Sequence, residues 1–215
     1  MPTLLQINVV VNWGSTGRIA EEIGQVAIAG GWKSYIAYGR GTPKSKSHLI
    51  RIGSNWDMYM HGLQSRILDN HGLASQRATR KLITEIQEIK PDIVHLHNVH
   101  GYYLNYELLF QYLAGADIPV VWTLHDCWAF TGHCAYFTYV GCNQWKEGCF
   151  HCTQKKSYPA SFVLDNAARN FELKKKSFTS VFRMTIVPVS DWLAGLVKES
   201  FLKQCSIHRI YNGVN

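Results

Sequence analysis

Four short groups of residues in this chain carry types and spacings suited to chemistry. The first is Gly14-Ser15-Thr16-Gly17 followed by Arg18. Glycines let backbone amides approach a phosphate or sugar at the start of a helix, and an arginine there can pair with phosphate in a fork. The group has neither the G-x-G-x-x-G spacing nor a following Gly-Lys-Ser/Thr, so a plain strand-to-helix turn and a solvated Arg18 stay open as readings. The second group is His95, His97 and His100. Alternation along a strand puts His95 and His97 on one side, which suits either a metal pair or hydrogen bonds lining a cleft, and no third ligand follows by spacing. The third is His125 with Asp126 beside it, directly after an apolar run. Its ring would project into a cleft and donate to a substrate oxygen, or would merely cap the strand end.

The fourth group is Cys134, Cys142, Cys149 and Cys152, with His133 and His151 as substitute ligands. Four thiolates can close a tetrahedral zinc site, and the two-residue gap between Cys149 and Cys152 is one such sites favour. Reduced thiols packed among Trp128, Phe130, Tyr136, Phe137 and Trp145 are the second reading, and disulfides the third. The cysteine-rich insertion, about residues 127–157, exceeds the roughly 12 to 15 residues of an ordinary loop, so something must hold it. The same aromatic residues could offer ring faces to an acceptor.

These groups need a scaffold, and the hydrophobic pattern supplies one. Leu4–Val11 reads as a strand buried on both faces. A helix from Arg18 to Ala29 follows, with Ile19, Ile23, Val26 and Ala27 at helical spacing and Gly30-Gly31 as its stop. Strands are expected at Ser34–Tyr38, Leu49–Ile52, Ile93–His97, Pro119–Leu124, Met184–Val189 and Ile207–Tyr211. The intervening helices include Arg77–Ile89, Leu104–Leu113, Ser161–Phe178 and Asp191–Phe201, the last capped by Ser190. Alternating strands and helices imply an α/β fold, a doubly wound parallel sheet covered on both faces. In such sheets ligands gather beyond the carboxyl ends of the strands. The Gly14, Gly39 to Gly41, His97 and His125 groups all stand at such ends.

The chain has 215 residues and fits one domain, 1–215. An apolar fraction of 47% with 17% charged residues suits a globular protein rather than a disordered one. The formal charge of +7 favours anionic partners without choosing among them. Without a concentrated basic and aromatic stripe, nucleic acid is not expected as a partner. No run reaches the roughly 18 apolar residues of a membrane span, and the N-terminus lacks signal-peptide regions, so a cytoplasmic setting is expected. A basic stretch at Phe171-Glu172-Leu173-Lys174-Lys175-Lys176 reads as a solvated face or as a rest on anionic lipid at the inner face of the cytoplasmic membrane.

Several motifs occur in a telling order: Asn12-Trp13-Gly14-Ser15-Thr16-Gly17, Pro91-Asp92-Ile93-Val94-His95-Leu96-His97, Thr123-Leu124-His125-Asp126, Pro188-Val189-Ser190 and Tyr211-Asn212-Gly213-Val214. Together they resemble the N-terminal half of family 4 glycosyltransferases of the GT-B fold. The cysteine-rich stretch resembles a subgroup that builds bacterial surface polysaccharides such as colanic acid or capsule. The resemblance implies two Rossmann-like domains facing across a cleft, the N-terminal one mainly holding the acceptor. A C-terminal donor-binding domain with a Glu-x7-Glu motif would follow residue 215, and Asn215 stands where Asp is usual. This chain by itself is then expected to transfer little or no sugar.

By the same resemblance, the co-substrate is a nucleotide sugar and transfer is retaining without a catalytic metal. The acceptor is a glycan, lipid-linked in such pathways. Gly14, Ser15, Thr16 and Gly17 would border donor phosphates and acceptor, with Arg18 a further phosphate contact. His125 would face the transferred sugar near its 6-hydroxyl, with His97 and Asp126 beside it. The competing expectation is a non-catalytic module that binds a nucleotide or glycan and carries a metal-stapled cysteine loop.

Overall fold

The computed structural model describes residues 1–41 and 44–213. The expectations for Val214 and Asn215 lie outside the described residues. Seven parallel strands form one sheet: β1 (Thr3–Asn8), β2 (Lys33–Tyr38), β3 (His48–Arg51), β4 (Ile93–Leu96), β5 (Val120–Leu124), β6 (Met184–Pro188) and β7 (Ser206–Ile207). Their spatial order is β3-β2-β1-β4-β5-β6-β7. The order reverses between β1 and β4, and that switch point opens a crevice beyond the strand ends. The helices are α1 (Gly14–Ala29), α2 (Asn55–Leu68), α3 (Gln76–Ile89), α4 (Tyr106–Gly115), α5 (Ala167–Phe178) and α6 (Asp191–Glu199).

Side-chain caps start three of the helices. Ser54 and Asp57 form a capping box on α2, Asn105 accepts from the Leu108 amide on α4, and Ser190 accepts from the Leu193 amide on α6. Helix α1 departs from its expected form in its start and in its buried face. It begins at Gly14 rather than Arg18, and Val26, assigned by spacing to the buried stripe, is 73% exposed. Its buried face is Gly17, Ala20, Glu21 and Gly24, and the three small residues bring the helix close to the sheet. A Cβ on Gly17 would stand 3.1 Å from Val10 Cγ2 and 3.2 Å from the Asn12 nitrogen.

Other boundaries shift for local reasons. Strand β1 stops at Asn8, where the Asn8 side chain bonds back to the Val10 carbonyl and turns the chain into the still buried Val9 to Val11 loop. Helix α5 starts at Ala167 rather than Ser161. Residues 161–166 instead run beside the end of α2, Phe162 N donating to Arg66 O at 2.7 Å and Leu164 N to Ile67 O at 3.1 Å. Strand β7 pairs over two residues, while His208 and Ile210 continue to donate to the β6 carbonyls of Ile186 and Pro188.

The two faces of the sheet differ in chemistry. One carries Leu5, Ile7, Val94, Leu96, Val120 and Trp122 into the main core against α3, α4 and α5. The other has a small apolar cluster of Val11, Ala20 and Ile36, and beside it a buried polar row: Gln6, His97, His95 and Thr123. Buried polar groups persist when they satisfy one another, and this row does so across three strands.

Candidate active site at the sheet switch point

The polar row leads from beneath α1 to the crevice. Gln6 donates its side-chain Nε2–H to the Ala20 carbonyl at 2.8 Å, which turns Oε1 toward His97 Nε2, 3.1 Å away. That oxygen accepts only, so His97 Nε2 carries the proton. Burial drives the His97 pKa well below its usual value, with His95 and His125 adding to the effect, so the ring is neutral and its Nδ1 is an acceptor. His97 Nδ1 lies 3.4 Å from His125 Nε2, which must therefore be the donor. His125 is also neutral. Burial pushes it down to about 4, against the upward pull of Asp126. Its remaining nitrogen, Nδ1, is then a lone pair without a protein partner among the described residues, at the end of β5.

On one of the two sequence readings, the other being a strand-end cap, His125 donates to substrate. The hydrogen-bond chain reverses this: the ring presents an acceptor, suited to a sugar hydroxyl that donates. His95 stacks on His97 with ring centroids 4.3 Å apart and bonds Thr123 Oγ1 at 2.8 Å. The same-side placement of His95 and His97 is therefore used for internal hydrogen bonds. Asp126, expected at the substrate, receives His100 Nε2 at 2.9 Å and the Trp128 amide at 2.9 Å. Burial alone would raise its pKa, but His100 and the Trp128 amide outweigh it and hold the carboxyl below its usual range.

Asn8 ties the other wall in place. Its Nδ2 bonds Val10 O and Thr16 Oγ1, while its Oδ1 accepts from the Asn98 amide at 3.3 Å, joining the ends of β1 and β4 to α1. Gly14, Ser15, Thr16 and Gly17 thus form the first turn of α1 rather than a separate loop. This N-terminus has no side-chain cap and no acidic residue in its first turn. Free amides and the positive end of the helix dipole remain for an anion. Arg18 is exposed one residue further on.

The largest cavity at this edge, about 720 Å³, lies on the β2 side and is lined by Val10, Val11, Asn12, Trp13, Arg40, Gly41 and Lys44. Asn12, at φ 49°, bonds Lys44 O through its side chain at 3.0 Å. Glu21 accepts from Ser45 and from the Lys46 amide, pinning the far end of that loop to α1. Gly39 is needed where β2 ends, because a Cβ there would stand 2.5 Å from Tyr103 Cβ. Arg40, Lys44 and Trp13 were not singled out in the sequence, and neither were Gln6 and Asn8. For Gln6 and Asn8 a signal was present: they are polar at alternate positions of an otherwise apolar strand.

The four cysteines of the insertion also converge. Cys134, Cys142, Cys149 and Cys152 line one void of about 20 Å³ together with His133 and His151. All are free thiols. As placed, no three metal-binding side chains among the described residues form a ready ion shell. Trp128, Phe130, Phe137 and Trp145 are buried, so the aromatic platform expected there is core packing, and of the group only Tyr136 is exposed. In the basic stretch on α5, Lys175 and Lys176 are exposed as a solvated face requires, whereas Lys174 is buried.

Buried histidines give this architecture a pH signature. His61, His95 and His125 are lowered to about 4 by burial, and His71 and His97 lie further down. The unfolded chain binds their protons first, so this stability is complete above about pH 6.5 and is lost as pH falls toward the folded values. Each histidine contributes up to about 1.4 kcal/mol per pH unit in that window. Urea midpoints should drop clearly between about pH 7.5 and about pH 5, and equal midpoints would contradict the burial argument.

Comparison with known proteins identifies the family and the fold. The model of Glycosyltransferase Family 4 matches residues 36–215. The Escherichia coli (strain K12) protein WcaC, a glycosyl transferase assigned to colanic acid biosynthesis, is 29% identical over 168 residues, 73% of this chain and 40% of that protein. Sucrose-phosphate synthase from Thermosynechococcus elongatus superposes with a TM-score of 0.58 at 11% identity, covering 100% of this chain and 49% of that one. TcCGT1, solved in complex with UDP, gives 0.54 at 10% identity, over 100% of this chain and 53% of its own. The chain thus spans about half the length of these structures and less of its curated relative. It belongs to Glycosyltransferase Family 4, with the Rossmann-like fold of the N-terminal half of a GT-B enzyme.

Proposed function

We propose that this chain, residues 1–215, is the acceptor-side half of a retaining glycosyltransferase that moves a sugar from a nucleotide-sugar donor to a growing, lipid-linked surface polysaccharide. The observation that carries the reading is the crevice at the β1–β4 switch point, where the uncapped α1 N-terminus and the open Nδ1 of His125 both stand. The amides at Gly14 to Gly17 would neutralise charge on a departing diphosphate, and His125 Nδ1 would accept a hydrogen bond from a hydroxyl of the transferred sugar, fixing its orientation. His97 acts through His125 rather than on substrate. Arg40, Lys44 and Trp13 give the acceptor cavity cations and an aromatic face, which suits a glycan joined to phosphate.

A lipid-linked acceptor requires approach to a membrane. No described helix is long and apolar enough to cross one. The surface on α2 that fits the approach is Trp56, Tyr59, Met60, Leu63 and Ile67, all at least 41% exposed, with Phe162 and Val163 alongside. Arg66 and Lys155 border it, a pattern of aromatic and aliphatic anchors with cations that suits an anionic leaflet. We place the protein on the cytoplasmic face.

The test uses the full-length protein with a panel of nucleotide sugars and lipid-linked acceptors in anionic vesicles, reading product by mass and vesicle binding by sedimentation. Turnover with one donor is expected, together with weaker sedimentation of Trp56→Ser. Binding of nucleotide or glycan without turnover by any donor would replace the transferase reading with a binding module. Sedimentation unchanged by Trp56→Ser would remove the α2 surface from it.

A further inference from the structure

The insertion between β5 and α5 contains only short 3-10 turns at Trp128–Phe130, Thr138–Val140 and Gln144–Lys146. Its four thiols reach one small void from positions far apart along the loop. About one probe sphere, roughly 10 to 15 Å³, is the least space that holds a water-sized occupant, and the void of about 20 Å³ exceeds it. Gly132 N–H donates to Cys149 Sγ at 3.2 Å, the kind of bond that supports charge on sulfur. Gly132 has no room for a side chain, because a Cβ would stand 2.2 Å from Ala167 O and 2.7 Å from Cys149 Cβ.

Two further groups stand beside the thiols without the partners their burial demands. Lys174 is 1% exposed, and its Nζ donates only to the carbonyls of Trp128 at 2.8 Å and Thr131 at 2.9 Å while lying 3.5 Å over the Trp128 ring. No carboxylate pairs with it among the described residues. A buried ammonium with neutral partners is costly unless negative charge lies near. His133 lines the same void. Its Nδ1 donates to Asp69 Oδ1 at 2.5 Å, and its Nε2 is buried with no partner. Negative charge on Cys149 and Cys134 would act on the buried Lys174 ammonium, with Asp69 and Asp126 adding to it.

We infer that Cys134, Cys142, Cys149 and Cys152 bind one zinc ion as thiolates, and that Lys174 is the buried countercharge of this anionic centre. Four thiol protons leave to solvent as the ion enters, and the tetrathiolate complex is a dianion that Lys174 half-neutralises. The thiols draw together as the ion binds, because ion capture and loop closure are one event. The centre is structural, since four protein ligands leave no open position for substrate. It holds the Trp128 turn that places His100 and Asp126 beside the crevice, and it stands apart from the sugar chemistry proposed above.

The experiment is metal analysis and thiol titration on one sample of wild-type protein purified without chelator. About one zinc per chain is expected, with Cys205 reactive, Cys127 shielded by its burial, and the four cluster thiols protected until the ion is displaced. Cobalt substitution should give the intense sulfur-to-metal absorption of a tetrahedral thiolate site. Lys174→Met should lose zinc to a competing chelator about 10- to 100-fold more readily, the range for groups that support metal ligands. Cys205→Ser should keep the ion. No bound metal with four freely reactive thiols, or disulfides in their place, would overturn the site. Unchanged retention in Lys174→Met would overturn the countercharge.

Discussion

Replacing His125 with alanine in the full-length enzyme is expected to lower turnover about 10²- to 10³-fold, the range seen when one preorganised hydrogen-bonding group is removed from a reacting centre. On the role proposed for it, the ring orients the transferred sugar rather than gripping the acceptor, so the loss should fall on kcat more than on KM. The supporting ladder gives the prediction a second arm. Gln6 holds His97 in one tautomer, and His97 holds His125 with its acceptor nitrogen outward. Gln6→Leu removes that constraint while leaving His125 in place, so kcat should fall by less than in His125→Ala. Both variants are compared with wild type for donor turnover and for thermal midpoint. Wild-type turnover in a folded His125→Ala protein would exclude the ring from the reaction, whichever donor is used.

The largest loss of stability is expected from Trp122→Ala. Trp122 is 1% exposed in β5, packs against Phe110 and Phe178, and donates its indole N–H to the His97 carbonyl at 2.9 Å. Truncating a buried tryptophan costs about 3 to 5 kcal/mol through lost transfer energy and the cavity left behind. At about 2 to 4 °C per kcal/mol for a chain of this size, the thermal midpoint should fall by about 6 to 20 °C. Trp122→Phe separates packing from hydrogen bonding. It keeps most of the ring volume and leaves the His97 carbonyl without its donor, which should cost about 1 to 3 kcal/mol. Calorimetry checks both, and a Trp122→Ala midpoint within a degree of wild type would show that the core closes over the gap. Because the indole holds the backbone of His97, Trp122→Phe should also loosen the histidine ladder and lower kcat.

Much of this protein is legible in one dimension. Apolar runs at Leu4, Ser34, Ile93, Pro119 and Met184, separated by helical periods, determine a parallel α/β sheet, because strands buried on both faces must be nearly continuous in apolar residues. Strand-end placement also marked the rim, since the glycines after β1 and the histidines after β4 and β5 can only gather at one edge of such a sheet. The short, ordered motifs carried the family. Cap residues such as Ser190 were readable as well, for a hydroxyl before a helix has a local reason to be there.

What the sequence left open depended on which side chains meet across elements. Spacing put Val26 in the core, yet Gly17, Ala20 and Gly24 make the contact, because the approach of helix to sheet is set by the smallest residues on the facing stripe. Lys174 reads as one lysine of a basic run, and only the packing of α5 against the insertion takes it out of water. The donor or acceptor character of His125 was undetermined in one dimension. It follows from Ala20, Gln6 and His97, residues on a helix, on β1 and just past the end of β4, whose hydrogen bonds run in one direction only after the fold has brought them together. Local propensity acts over a few residues and can be read along the chain. A proton's position on a buried ring is set by partners distant in sequence, and the tertiary structure alone decides it.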